Sequence, residues 1–247
     1  MDAVTVGAIL GAGAATTVGG LVLLLFPTPS DRLLSSLLGF TAGVMLAATS
    51  FSLLVPALDR GALWEVLAGL GLGAALFVGL DSIVPHIHAR FVERGHPRSA
   101  EQRRAILLLS ALTIHNIPEG LAVGIAFAAG GPELGVPLAL AIGIQNVPEG
   151  FAAAAPLLAA GARPAVAVGV AAASGAVEPP AAFAALGAFD LVSALLPGGL
   201  AFAAGAMLYV VVDELIPESH ARGRERDATV ALLAGFALML GLDNAFA

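Results

Sequence analysis

Residues 105–129, AILLLSALTIHNIPEGLAVGIAFAA, decide the architecture of this chain. The run is long enough to cross a bilayer as a helix, because the hydrocarbon core takes about 20 apolar residues. Its apolar residues form no single stripe, and its polar ones, His115, Asn116 and Glu119, come as a block at mid-length. Polar residues inside a span are costly and mark functional paths.

Composition extends that reading to the whole chain. Of 247 residues, 58% are hydrophobic and 12% charged, and mean hydropathy is +0.94. Soluble domains carry roughly 25% charged residues, so a protein this apolar has lipid as its solvent. The net charge of -7 offers no basic footprint for nucleic acid. There is no cysteine, which excludes disulfides and thiolate metal sites. All 11 basic residues are arginine, which excludes lysine Schiff-base and Ser-Lys chemistry. The chain opens Met-Asp without a basic leader, so residues 4–26 read as a retained span and not a signal peptide.

The fold class is all-α: a polytopic membrane protein of one transmembrane domain, residues 1–247. Eight spans are expected near 4–26, 33–57, 62–84, 104–129, 133–159, 164–187, 198–218 and 228–246. Their periods are nearly featureless, because a lipid-facing side is as apolar as a packed one. Eight crossings put both termini on one side, and arginine chooses which. With the termini outside, ten arginines fall in inner loops and Arg60 alone lies outside. The expected location is the plasma (inner) membrane, termini outward, with a cytoplasmic loop at 85–103 bearing His86, His88 and His96. Dense glycine and alanine predict close helix packing.

His115 lies 11 residues beyond Arg104, near the midplane at about 1.5 Å per residue. The fifth span returns inward and brings Gln145, Asn146 and Glu149 to the same depth, and the sixth brings Glu178. His115 and Glu119 are four apart and share a helix face; Asn116 sits on its edge. Gln145, Asn146 and Glu149 repeat the spacing. If the two faces meet, Glu119 and Glu149 can each bridge two ions. Imidazole and carboxylate suit zinc and similar divalent ions. Pro118 and Pro148 free the carbonyls of Ile114 and Ile144, and Glu178-Pro179-Pro180 repeats the device; broken membrane helices face protein or a wet cavity. A lone proline ordinarily marks a kink, and a lone amide interhelical glue. Two copies of [His/Gln]-Asn-x-Pro-Glu-Gly at one depth, with Glu178 beside them, point to a metal site.

At these residues the chain resembles the ZIP (Zrt-, Irt-like) family of metal transporters, over its full length. The resemblance implies a binuclear centre: one site of His115, Glu119, Gln145 and Glu149, the other of Asn116, Asn146 and Glu178, sharing Glu119 and Glu149. It also implies pathway positions at Met45 and Ser52. Many family members carry histidine at position 145 and an acid at 146. Here both are neutral oxygen donors, so three carboxylates face the four positive charges of two divalent ions. That balance implies weaker double occupancy and a selectivity wide enough for zinc, cadmium, iron or manganese.

Asp59 and Asp243, at outer span ends, are candidate cation collectors. Asp81-Ser-Ile-Val-Pro-His86-Ile-His88 and Asp213-Glu214-Leu-Ile-Pro-Glu218-Ser-His220 match in spacing and form a candidate inner release path. An unperturbed imidazole exchanges protons near neutrality, so protons there would compete with departing metal. The implied function is a secondary importer of divalent metal working by alternating access, as a homodimer among membrane lipids, with zinc or a similar cation as transported substrate and no catalytic cofactor. It is not expected to be an enzyme. An intramembrane zinc metallohydrolase would need about three protein ligands and an open water position, but the chain has one histidine at membrane depth and no His-Glu-x-x-His. A passive channel would share every residue, and an exporter the same topology.

Overall fold

The computed structural model describes the chain except residues 27–28, 96–99, 189–194 and 247, with side chains described outside residues 81–113 and 246. Every element among the described residues is helical. In chain order they are α1 (Ala3–Val22), α2 (Asp31–Ala47), α3 (Val55–Arg60), α4 (Leu63–Gly95), α5 (Ala100–Ala159), α6 (Pro164–Gly175), α7 (Glu178–Gly187), α8 (Leu196–Val210), α9 (Ile216–His220) and α10 (Glu225–Phe246). Seven stretches among the described residues are long and apolar enough to cross a membrane.

One of them, Ile114–Ala159, has 46 residues. As a straight helix it would measure about 69 Å, more than twice the hydrocarbon core. It doubles back instead. Gly130 (φ -139°, ψ 16°) and Gly131 (φ 58°, ψ -147°) leave helical geometry, and a φ of 58° favours glycine because it has no Cβ to clash. The amide of Gln145 lies 2.6 Å from the carboxylate of Glu119. Along an unbroken helix those residues would be about 39 Å apart. The reversal therefore sets the two Pro-Glu-Gly segments face to face.

The expected sixth span is divided: α6 ends at Gly175 and α7 begins at Glu178. Pro179 and Pro180 supply no N–H to continue the ladder, which places Glu178 at the first turn of a new helix. Two other spans contain π-helical segments, Ala48–Leu54 and Val211–Leu215. Each is followed by a proline, Pro56 and Pro217, that lacks the N–H for the carbonyl four residues back.

Helix packing sorts into groups. The helix α1 packs on α5, α6 and α7, while α2 pairs with α10 and α4 with α8. In the first group backbones touch directly: a Cβ on Gly19 would strike the carbonyl of Val147, and one on Gly150 the carbonyl of Thr16. Small residues permit this approach in lipid, where no hydrophobic force drives helices together. The second group is clasped at both ends of the α2–α10 pair. Arg32 Nε lies 3.1 Å from Asp227 Oδ1 at one end, and Ser52 Oγ donates to Asp243 Oδ1 at 2.8 Å at the other.

Candidate metal site

The seven residues of the expected metal layer are all buried: His115 is 8% exposed, Glu149 4%, Glu178 2%, and Asn116, Glu119, Gln145 and Asn146 are fully enclosed. Their placement follows from two backbone interruptions. The Gly130–Gly131 reversal pairs the motif helices, and the break before Glu178 turns its carboxylate toward Asn146, while Pro118 and Pro148 each withhold an N–H without ending the helix.

Two of the three amides hold a carboxylate. Gln145 Nε2 donates to Glu119 Oε1 at 2.6 Å. Asn146 Nδ2 lies 2.9 Å from both oxygens of Glu178 and 3.0 Å from the carbonyl of Ala12. Thr16 Oγ1 adds a longer contact to Glu178 Oε1, 3.4 Å. No three His, Asp or Glu side chains among the described residues gather tightly enough to enclose an ion by themselves.

The free atoms are the informative ones. Glu119 Oε2, Gln145 Oε1, Asn146 Oδ1, Glu149 Oε1 and Asn116 Oδ1 are buried without a hydrogen-bond partner among the described residues, as is Asn116 Nδ2. A buried polar atom left unpaired costs about 1–3 kcal/mol, so five such oxygens in one layer are a large uncompensated cost. Oxygen lone pairs are what a divalent cation coordinates, and the donor set of imidazole, carboxylate and amide oxygen fits such an ion.

A cavity of about 180 Å³ reaches this layer from one end of the bundle, lined by Leu38, His115, Glu149, Glu214, Glu218 and Arg222 among others. His115 Nε2 lies 2.7 Å from Glu214 Oε2. Arg222 pairs with Glu218 at 2.6 Å. Two of the expected release-path acids thus begin at the site itself. Asp213 is exposed and His220 half-buried, neither lining this cavity; Asp81, His86 and His88 lie outside the residues whose side chains are described. At the opposite end Met45 and Ser52 are buried, Asp243 is half-buried and held by Ser52, and Asp59 is exposed.

Sequence reasoning missed Thr16, Thr41 and Arg222. Thr41 Oγ1 touches the carbonyl of Gln145 at 3.4 Å. A Thr16-Thr17 pair inside a Gly- and Ala-rich run was the available signal for the first, since little else in that span is polar.

The family model described as "ZIP Zinc transporter" matches residues 92–243. The chain is 44% identical to "Zinc transporter ZIPB" of Bordetella bronchiseptica, over 96% of this chain and 81% of that protein. It is also 44% identical to "Zinc transporter GufA" of Myxococcus xanthus, over 96% of both. Human "Zinc transporter ZIP11" is 33% identical over 92% of this chain and 93% of its own length.

Proposed function

The chain belongs to the ZIP zinc transporter family, and we propose that it carries divalent metal ions, zinc foremost, from outside the cell into the cytoplasm. Counting the doubled-back run as two gives eight crossings, and the arginine bias puts the termini outside. The ion is held in the layer of His115, Asn116, Glu119, Gln145, Asn146, Glu149 and Glu178, with Glu119 and Glu149 shared between two positions.

The observation that carries this reading is the set of five unpartnered buried oxygens on helices brought face to face. The cavity from His115 to Arg222 supports the direction of release. That cavity opens at the arginine-rich end, whereas Met45 and Ser52 are covered at the other. An inward-facing state of an alternating-access cycle would have this arrangement, which supports the reading. The grouping of α1, α5, α6 and α7 apart from the α2–α10 and α4–α8 pairs supports movement of one bundle against another. Neutral oxygens at Gln145 and Asn146 soften zinc preference, so cadmium, iron and manganese are carried too.

Purified protein in liposomes tests this. Uptake of zinc should saturate, and cadmium, iron and manganese should each compete. Transport of zinc alone would overturn the selectivity, and absence of any metal flux would overturn the function.

A further inference from the structure

Polar side chains within a membrane helix usually satisfy themselves on their own backbone. Ser50, Ser174, Ser219 and Thr229 all do so here, donating to the carbonyls of Leu46, Ala171, Ile216 and Glu225. Thr49 does not. It is fully enclosed, and its Oγ1 has no partner among the described residues.

Its position gives that hydroxyl a setting. Thr41, Met45 and Thr49 follow at intervals of four residues, so they share one helix face, and Ser52 lies on the next turn within the π-helical segment. The first touches the carbonyl of Gln145 in the metal layer. The last donates to Asp243 at the far end. The helix therefore runs from the metal layer past Met45 and Thr49 to an acid at the end of the bundle opposite the cavity, about 16 Å along its axis. Between the two ends it offers two groups with lone pairs, the Met45 thioether and the Thr49 hydroxyl. Thr49 also lies in the π-helical segment Ala48–Leu54, a departure that often marks functional sites.

We propose that Thr49 is an oxygen ligand for the ion on its way between Asp243 and the metal layer, and that it helps to set metal selectivity there. The inference rests on the transport reading. A hydroxyl suits oxygen-preferring ions such as manganese, and a thioether suits softer ones such as cadmium. Thr49 and Met45 side by side thus admit both classes. Without the hydroxyl, the stretch retains only the soft donor.

The test uses Thr49→Val and Thr49→Ser in proteoliposomes, with initial uptake of manganese, zinc and cadmium measured separately. Thr49→Val should lower the manganese-to-cadmium ratio of kcat/KM about tenfold, the scale of one neutral polar contact. Thr49→Ser, which keeps the oxygen, should hold the ratio within about twofold of wild type. An unchanged ratio in Thr49→Val, or an equal shift in Thr49→Ser, overturns the proposal while leaving metal transport intact. The melting temperature in detergent provides the second arm. A hydroxyl without a protein partner is replaced by methyl at no cost, so Thr49→Val should melt at or above wild type. A clear loss of stability would assign the hydroxyl a structural partner and overturn the proposal. Wild-type protein that moves none of the three ions would remove the transport reading itself.

Discussion

Replacing Gln145 by leucine separates what the amide does for the fold from what it does for the ion. Gln145 donates to Glu119 Oε1 at 2.6 Å and leaves its own Oε1 buried and unpartnered. Leucine removes both atoms at nearly constant volume. Loss of the donor leaves a buried carboxyl oxygen of Glu119 unpaired, about 1–3 kcal/mol, while deleting the unpaired Gln145 oxygen returns about 1–3 kcal/mol. The two nearly cancel, so metal-free stability should change by less than about 2 kcal/mol. The metal does not share in that cancellation. Changes to groups that orient metal ligands typically cost 10–100-fold in affinity, and Gln145 both orients Glu119 and offers an oxygen. Zinc at 100 times the wild-type Kd stabilises wild type by about 2.7 kcal/mol. With affinity 10–100-fold weaker, the same zinc supplies only about 0.4–1.4 kcal/mol. Thermal melting in detergent, with and without zinc, reads both quantities. Full zinc-dependent stabilisation in Gln145→Leu would refute the assignment of the amide to the metal layer.

Asn146→Leu should cost more, because Asn146 gives up contacts to both oxygens of Glu178 and to the Ala12 carbonyl while only its Oδ1 is unpartnered; metal-free stability should fall by about 1–2 kcal/mol net, read as the melting temperature. Gly43→Ala places a Cβ on the carbonyl of Leu232 and 2.9 Å from Phe236 N, where no flexible side chain can yield, so it should cost about 1–3 kcal/mol in the same assay. Gly7→Ala meets nothing within 4 Å and should be neutral or stabilise by about 0.4–1 kcal/mol. Asp2 caps α1 by accepting from Thr5 N–H at 2.7 Å, which holds its carboxyl below the usual value of 3.8. A lowered folded-state pKa stabilises above the unfolded value and stops doing so as pH falls through the folded one. Asp2→Ala should therefore speed amide exchange in the first turn of α1 at pH 7, and the difference from wild type should vanish as pH drops below 3.8.

The spans were legible because the bilayer sets one length for all of them, and Gly130-Gly131-Pro132 between two apolar runs marked the turn. Depth was counted the same way: at a fixed rise per residue from Arg104, His115 is expected at mid-membrane. All seven residues expected at that depth are buried. What faces them does not follow from counting. Glu214 reaches His115, Thr16 reaches Glu178 and Asp243 reaches Ser52 across long intervals of chain. In lipid, packed and lipid-facing sides are equally apolar, so periodicity carries no record of which helices meet. The π-helical segments were hidden similarly: Pro56 and Pro217 announced a lost hydrogen bond, while the backbone's answer to it depends on neighbours.

If the enclosed carboxylates carry the ion, Glu119 is the one whose loss should be felt most. It is fully buried, with one oxygen held by Gln145 and the other unpartnered among the described residues. Zinc uptake into liposomes containing equal amounts of folded wild type or Glu119→Ala tests the claim most directly. Wild type should show saturable uptake and the variant none above empty liposomes. Uptake by Glu119→Ala at the wild-type rate would contradict it.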